Sequence, residues 1–428
     1  MVDLTLIIVS VIQFLFISII CYYEAKRKSP AVFLWATLEI MFGVMHLITV
    51  ITDSIKYSWN SMFEASMFVI GFCCIYLFTR IIVNNRTNNV LKQIKSSTIN
   101  DTRYINVLVI ILGTAAILGS YYLISFSGGF LNTSWGSMRD YSTSLSYVNS
   151  SQILSILYFS TSGVFLISLL LKSKKLIFFC IFWILYYTII SRNRIFILPL
   201  FVDIIIYRLY SIKRIRLNNI FLASIMAVIV IYFVYGIRVF RHYGSLEVFI
   251  TQFNYIYFID TINDYLMTDN GELGLRNTFY YFIECNNDFL GFNRLASYVR
   301  MLLVYLPTQF SFGLKPDDFA ITMGQAIGMV AGGSTHPTLF GDCYANAGFL
   351  GILLGMFWGC YASILDIILL KSNNNILKML LFSLFSVTFV IIGRGSVYNS
   401  FFFVAWGVPT LVILDIIIKN SHKIKINW

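Results

Sequence analysis

Residues 4–28 read LTLIIVSVIQFLFISIICYYEAKRK, an apolar run that ends in a basic cluster. The run is long enough to form a helix that crosses a bilayer, which needs about 20 predominantly apolar residues. It has no basic n-region and no small-residue cleavage site, so we interpret it as a membrane span and not as a removed signal peptide. Over the whole chain 58% of residues are hydrophobic and only 12% are charged, against roughly 25% in soluble domains. The sequence therefore predicts an all-α integral membrane protein.

Apolar stretches of about this length recur along the chain and predict about eleven transmembrane helices. The predicted spans are Leu4–Tyr22, Ala31–Ile51, Ser61–Val83, Tyr104–Phe126, Gln152–Leu171, Leu176–Ile190, Ile195–Tyr210, Asn219–Tyr235, Ala347–Leu370, Ile376–Ile392 and Tyr398–Ile418. They divide the chain into an eight-helix bundle over residues 1–236, a long loop over 237–346, and three helices with a tail over 347–428. A loop this long without a span of its own usually carries function.

The basic residues predict the orientation. One alternate set of loops holds 20 of the 31 Lys and Arg residues. By the positive-inside rule this set is cytoplasmic, which places the N-terminus and the long loop outside and the C-terminus inside. The same rule accounts for the net charge of +11 without a nucleic-acid partner.

The predicted outer loops are rich in arginine. Their 11 basic residues include only two lysines, Lys56 and Lys315. The nine arginines are Arg139, Arg192, Arg194, Arg238, Arg241, Arg276, Arg294, Arg300 and Arg394. Because the planar guanidinium matches phosphate bidentately, this bias favours a phosphate or pyrophosphate ligand on the outer face. The alternative is that these arginines pair with outer acids such as Asp260 and Glu284.

Three short segments place arginines near glycines or near each other at predicted span ends. Arg139 follows the turn Ser127–Phe130, which contains two glycines. Arg238 and Arg241 are three residues apart and would share a helix face, where they could hold one diphosphate or simply snorkel to the interface. Arg394 lies between two glycines, which leave room for a close ligand.

The most informative segment is residues 332–351, GGSTHPTLFGDCYANAGFLG. It brings His336, Asp342 and Asn346 to the start of a glycine-rich span, and polar groups at such a junction face protein or water and not lipid. His336 is the candidate acid–base residue because a histidine titrates near neutral pH. The alternatives are a structural histidine and, for Asp342, a helix N-cap. Glycines at four-residue spacing, Gly351, Gly355 and Gly359, should also let another helix approach closely.

The remaining chemistry-bearing residues argue against a metal or cofactor. The seven cysteines form no CxxC pair and no cluster with histidine, and no DxD triplet is present. We therefore expect a metal-independent reaction without a cofactor. Cys285 and Cys343 would share the long outer loop, so a disulfide between them is an open possibility.

Five segments in this order resemble the O-antigen polymerase family, the Wzy-type oligosaccharide repeat-unit polymerases. They are SFSGGF at 125–130, SRNRIF at 191–196, GIRVFRHYG at 236–244, YLPTQFSFGLKP at 305–316 and STHPTLFGDCYANAGFLG at 334–351. The resemblance implies a membrane glycosyltransferase of the GT-C-like class at the periplasmic face of the bacterial inner membrane. Such an enzyme polymerises undecaprenyl-diphosphate-linked repeat units into O-antigen or a related surface polysaccharide. Candidate partners are the lipid-linked donor and acceptor, membrane lipid, a chain-length regulator and a flippase.

The chemistry of such a transfer assigns roles to the residues quoted above. A leaving diphosphate needs its charge held, which arginine donors do well in a water-poor site. We expect this substrate-binding role of Arg139, Arg194, Arg238, Arg241 and Arg394, with Asn346 nearby. His336 or Asp342 would accept the proton of the acceptor hydroxyl.

Two other functions are consistent with the same sequence. One is an O-antigen ligase-type transferase, which would move a finished polymer to a different acceptor. The other is a transporter or flippase, which would use ionisable residues inside the spans. Those residues are Glu39, His46, Glu64, Asp203, Asp366 and Asp415. Glu39 and His46 are seven residues apart and are expected to share a helix face.

Overall fold

The computed structural model describes residues 4–54, 56–84, 102–126, 160–191, 197–211, 236, 239, 251–267, 273–288, 294–306, 310–326, 335–372, 374–395 and 397–421. Within these residues every regular element is a helix, which confirms the all-α prediction. The chain forms two compact units. Unit 1 comprises Met1–Ser97 and Glu272–Pro409, and unit 2 comprises Thr98–Gly271 and Thr410–Trp428.

Six helical stretches in the described part of the chain are long and apolar enough to cross a membrane. They are Leu4–Arg27, Val32–Ile51, Trp59–Val83, Thr338–Lys371, Asn375–Arg394 and Val397–Asn420. Each overlaps one of the eleven predicted spans, so the chain is a membrane protein. The count of eleven stays a prediction, and the predicted span Asn219–Tyr235 lies outside the described residues.

The α-helices of unit 1 are numbered together with those of unit 2 in chain order. They are α1 (Leu4–Arg27), α2 (Val32–Leu38), α3 (Met45–Ile51), α4 (Trp59–Asn84), α5 (Thr102–Phe126), α6 (Ser160–Leu170), α7 (Lys174–Ser191), α8 (Leu198–Ser211), α9 (Tyr255–Met267), α10 (Arg276–Glu284), α11 (Ala296–Leu302), α12 (Phe319–Ala326), α13 (Thr338–Ala347), α14 (Leu354–Lys371), α15 (Asn375–Arg394) and α16 (Val397–Ser421). A π-helical turn, Glu39–Val44, joins α2 to α3, and 3-10 turns at Leu273–Leu275 and Gly348–Leu353 precede α10 and α14.

The helices of unit 1 have two distinct ends. At the basic end, α1, α4 and α14 terminate and α2 and α15 begin, beside Lys26, Arg27, Lys28 and Lys371. At the other end, here called the site end, α3 terminates and α1 and α4 begin. The helix α15 ends beside α2, because a Cβ atom on Gly393 would lie 3.0 Å from Cβ of Thr37. The short helices α10 and α13 contact the site end, where Glu284 accepts from Ser58 and Tyr344 donates to Glu64.

The centre of unit 1 is α15, which is apolar on every side and almost entirely buried. A helix of that composition requires apolar neighbours all round. Close packing of α14 on α4 follows from two glycines. A Cβ atom on Gly355 would lie 2.9 Å from the carbonyl oxygen of Phe72, and one on Gly359 would lie 3.0 Å from Cβ of Thr79. The predicted close helix approach at these glycines is confirmed.

An ionic cluster joins three of these helices near the basic end. Arg80 of α4 donates through Nε to Glu24 Oε1 at 2.7 Å and through Nη2 to Glu24 Oε2 at 2.6 Å. Its Nη2 also lies 2.8 Å from Asp366 Oδ2 of α14. Ser29 donates to the other oxygen of Asp366 at 2.8 Å, and Tyr76 donates to Glu24 at 3.0 Å. All three charged side chains are fully buried, so Arg80 is a structural partner and not one of the loop cations counted for topology.

Glu39 and His46, which the sequence predicts on one helix face, both contact α1. His46 lies within hydrogen-bond distance of Ser10 of α1 at 3.0 Å, of Ser66 at 3.1 Å and of the Tyr280 hydroxyl at 2.6 Å. Glu39 accepts from Ser18 of α1 at 2.7 Å. The two side chains therefore lie on the same side of this helix, although the π-helical turn Glu39–Val44 lies between them.

The predicted long loop contains helices that pack onto the bundle. Tyr280 of α10 contacts His46, and Glu284 accepts from the Ser58 hydroxyl and amide at 2.9 and 3.3 Å and from Ser61. These donors hold the pKa of Glu284 below its usual value. The helix α13 also begins at Thr338, inside the segment predicted as loop up to Asn346. Cys285 and Cys343 are both free thiols.

Candidate anion and acid–base site

Two of the predicted segments meet where α15 ends. Gly395 follows the last residue of α15 with a φ of +113°, a conformation that favours glycine. A Cβ atom on Gly395 would lie 2.1 Å from the backbone nitrogen of Thr338 and 3.1 Å from that of Pro337. The structure therefore brings the backbone of the Gly393-Arg394-Gly395 segment against the start of α13, directly after His336.

Local backbone chemistry explains why α13 begins at this contact. Thr338 is fully buried and has a φ of +64°, an outlier for a β-branched residue. Its hydroxyl accepts a hydrogen bond from the Gly341 amide at 3.3 Å, which satisfies one of the free N–H groups of the first helical turn. Strained backbone of this kind clusters at functional sites.

His336 lies in the short non-helical stretch Thr335–Pro337 that enters α13, and it is half-buried. The stretch is tied to α12, because the amide of Thr335 donates to the Ala320 carbonyl at 3.1 Å. Asp318 in turn accepts from the Ala320 amide at 3.0 Å, where α12 begins. The stretch that carries His336 is thus fixed to α12 and leads into α13, and part of the His336 surface is accessible. Its acid–base role stays a prediction.

Asp342 and Asn346 are buried and bonded to each other. Asn346 donates to the Asp342 carbonyl at 2.7 Å and to its carboxylate at 3.2 Å. The Oδ1 atom of Asn346 lies 3.4 Å from the Ser297 amide in the first turn of α11. Asp342 lies in the middle of α13 and not at its N-cap, which is Pro337. Both side chains are at most 2% exposed, so their surroundings favour a structural role in which α13 fixes α11.

The orientation of α11 presents Arg300 to an aromatic ring. The Arg300 guanidinium carbon lies 4.3 Å from the ring centroid of Tyr398, in the first turn of α16. The Lys315 ammonium lies 5.5 Å from the same centroid. Arg300 also donates to the Pro316 carbonyl, and Lys315 donates to the Leu306 carbonyl at 2.8 Å. Two cations therefore share one ring, and backbone carbonyls fix both of them.

Neither cation has a carboxylate partner in the described part of the chain. The cations that form ion pairs with carboxylates there include Arg80 and Lys419. An aromatic face attracts cations but does not neutralise them, so the Arg300–Lys315 pair keeps its positive charge. Tyr398 lies three residues after Gly395, which places this charge in the same local region as Arg394 and the start of α13.

Sequence reasoning counted Arg300 and Lys315 among the outer cations but did not assign them to the site. Their shared partner, Tyr398, is more than eighty residues away in sequence, so no local pattern connects the three. One feature of the sequence does relate the two cations to each other: Arg300 and Lys315 flank an apolar stretch of the predicted long loop.

The other predicted arginines divide into two groups. Arg139, Arg194, Arg238 and Arg241 lie outside the described residues, as do Arg192 and the Ser127–Phe130 turn, so their roles stay predictions. Arg394 is half-buried at the end of α15. Arg276, in contrast, is fully buried and donates to the Thr49 hydroxyl at 2.8 Å, which makes it a structural residue.

Comparisons with known proteins add no assignment. No protein-family model, no curated protein and no solved structure matches this chain. In the described part of the chain, no group of three or more His, Cys, Asp or Glu side chains could hold a metal ion.

Proposed function

We propose that this protein is a membrane glycosyltransferase that polymerises oligosaccharide repeat units linked to a lipid diphosphate. The observation that carries the proposal is the Arg300–Lys315 pair on the ring of Tyr398. Tyr398 follows Gly395 by three residues, and the Gly395 backbone contacts the start of α13, directly after His336. A fixed cationic site without a carboxylate partner is suited to hold a diphosphate leaving group. Its position beside the first turn of α16, a helix long and apolar enough to cross a membrane, suits a substrate that is delivered by the bilayer.

The transfer follows from these placements. The acceptor hydroxyl oxygen attacks the anomeric carbon of the donor glycan and forms the new glycosidic bond. The bond from that carbon to the diphosphate oxygen breaks, and the lipid diphosphate leaves with the electron pair. The cations stabilise its charge as it develops. His336 accepts the proton of the attacking hydroxyl, and it is better placed for this than the buried Asp342.

The proposed setting is the bacterial inner membrane, with the site end facing the periplasm. The positive-inside rule supports this orientation, because Lys26, Arg27, Lys28 and Lys371 lie together at the opposite end. The lipid carrier is proposed to be undecaprenyl diphosphate, and the GT-C-like fold class is part of the same proposal. Both rest on the resemblance of the five segments.

A transporter is less well supported by the surroundings of the acids in the apolar helices. Asp366 is bound to Arg80 and Ser29, and Asp203 accepts from Ser162 at 3.0 Å. Asp415 accepts from Tyr104 at 2.7 Å and from Lys419 at 2.6 Å, and Glu64 accepts from Tyr344 at 2.8 Å. Acids held by fixed partners suit helix packing better than an ion pathway.

Deletion of the gene, followed by gel analysis of surface polysaccharide, tests the proposal against its alternatives. We expect a single repeat unit attached to the acceptor in place of a ladder. Loss of all attached units would indicate a ligase, and units trapped on the cytoplasmic side would indicate a flippase. Either of these two results would contradict the proposal.

A further inference from the structure

The chain between α11 and α12 carries a set of exposed apolar side chains. Phe312 is 92% exposed and Leu302 is 83% exposed. Tyr305, Phe310 and Leu314 are also more than half exposed. Single exposed apolar residues are common, but five of them close together in sequence mark an interaction surface. We call these five residues the apolar surface of the α11–α12 segment.

The backbone holds the most exposed of these side chains outward. Phe312 and Gly313 have φ values of +48° and +80°, and the Leu314 amide donates to the Ser311 carbonyl at 2.8 Å. This is a tight turn with positive φ at both central positions, as in a type I′ turn. A phenylalanine rarely adopts this conformation, yet here it occupies the tip of the turn. Burial within unit 1 does not explain it, because the ring is almost fully exposed.

One contact fixes the depth of the apolar surface relative to a span. The Tyr305 hydroxyl donates to the Ala405 carbonyl at 2.7 Å, and its ring lies 5.4 Å from that of Trp406. Ala405 is eight residues into α16, about 12 Å along the helix at 1.5 Å per residue. The α16 helix is long and apolar enough to cross a membrane, and Trp406 is itself exposed. The apolar surface is therefore continuous with the lipid-facing side of a span.

The charges that border the surface do not interrupt it. Arg300 and Lys315 flank it in sequence, and both lie on the ring of Tyr398 in the first turn of α16. Both also donate to backbone carbonyls, so their charged groups are held away from the exposed apolar side chains. The exposed acid in this region, Asp317, comes two residues after Lys315 and is not among the apolar residues.

We infer that the α11–α12 segment is inserted into the membrane, with Leu302, Tyr305, Phe310, Phe312 and Leu314 in contact with phospholipid acyl chains. The segment is then not a water-exposed loop, although it belongs to the stretch that the sequence assigned to a long loop outside the membrane. The inference stands without the proposed enzymatic activity.

A fluorine probe tests the insertion in nanodiscs made of phosphatidylcholine and phosphatidylglycerol only. Trifluoromethyl-phenylalanine is placed at Phe312, and fluorine relaxation is measured with dissolved oxygen, which partitions into lipid, and with a water-soluble nickel chelate. The lipid reference is the same probe at Met67, an exposed residue eight positions into α4 from the site end. The water reference is the same probe at Asp317.

We expect the Phe312 probe to match the Met67 probe, with a strong oxygen effect and a weak nickel effect. A Phe312 probe that behaves like the Asp317 probe would overturn the inference. Should the Phe312 variant fail to fold, the same probe at Leu302 decides by the same two comparisons. Because the nanodiscs contain no lipid-linked glycan, the result is independent of whether the protein is a polymerase.

Discussion

A Cβ atom on Gly395 would lie 2.1 Å from the backbone nitrogen of Thr338, closer than any real contact allows. This contact joins the end of α15 to the start of α13, and it brings the segment of Arg394 next to the stretch that carries His336. Both residues have positive φ, at +113° and +64°, so the junction is strained on both sides. A junction of this kind can hold two catalytic segments in a fixed relation.

Replacement of Gly395 by alanine should therefore destabilise the protein. The added methyl group meets backbone and cannot be relieved by a rotamer change, so we expect a cost of more than about 2 kcal/mol. The measurement is the thermal unfolding midpoint in nanodiscs. The control is Gly113→Ala in α5, where a Cβ atom would meet nothing within 4 Å. Equal midpoints for the two variants would contradict the described junction.

The buried cluster of Arg80, Glu24 and Asp366 makes a second prediction about stability. Arg80→Ala leaves two carboxylates buried without their cation, which typically costs about 3–5 kcal/mol. We expect little folded protein in the membrane fraction, measured by size-exclusion chromatography after extraction. The matched control is Lys371→Ala, which removes an exposed cation at the same end of the bundle. A normal yield of folded Arg80→Ala protein would show that the cluster does not hold the three helices together.

The contact of Glu284 with Ser58 and Ser61 predicts a pH dependence. The hydroxyl and amide donors lower the pKa of Glu284, so its contribution to stability is fully present above the ordinary glutamate pKa of about 4.3. That contribution is lost as the pH falls through the lowered value. We expect Glu284→Gln to lower the unfolding midpoint by a few degrees at pH 7, with the difference from wild type vanishing only in stronger acid.

The control for this contact is Asp288→Asn, which changes an exposed acid just after the same helix. Asp288→Asn should leave the unfolding midpoint unchanged both at pH 7 and in acid. A Glu284→Gln difference that disappears already near pH 6 would assign the effect to another group.

The cationic site makes a prediction about activity. Arg300→Ala should reduce polymer formation by about a hundredfold, the scale seen when one donor to a developing negative charge is removed. The control is Arg294→Ala, since Arg294 is an exposed arginine just before α11. Product is quantified by gel at equal amounts of membrane-inserted protein. If the two variants show equal activity, Arg300 does not bind the leaving group.

The apolar spans and the close helix approach could be predicted because both depend on local patterns. Runs of apolar residues near 20 in length mark spans directly, and glycines at four-residue spacing gave the contact of α14 with α4. The positions at which helices begin outside the spans were harder to predict from the sequence. The polar residues of α13 made it resemble a loop, because its apolar partners, such as Phe279 of α10, are distant in sequence.

The candidate site was predictable only in part for the same reason. His336 could be singled out because it precedes a proline and follows glycines, all within one segment. The pairing of Arg300 and Lys315 through Tyr398 depends on three elements that meet only after folding. The different surroundings of Arg276 and Arg300 could not be predicted from the sequence either. Both lie in the long loop, yet one is buried against Thr49 and the other lies over an aromatic ring.

The most direct test of the central claim is turnover by the purified protein in nanodiscs that contain lipid-diphosphate-linked repeat units and a metal chelator. We expect the wild-type protein to form a ladder of products spaced by one repeat unit. His336→Ala should bind the donor normally but form the ladder about a hundredfold more slowly, the usual scale for loss of a general base. A folded wild-type protein that forms no ladder in the chelator, and still forms none when divalent cations are added in excess of the chelator, would contradict the account.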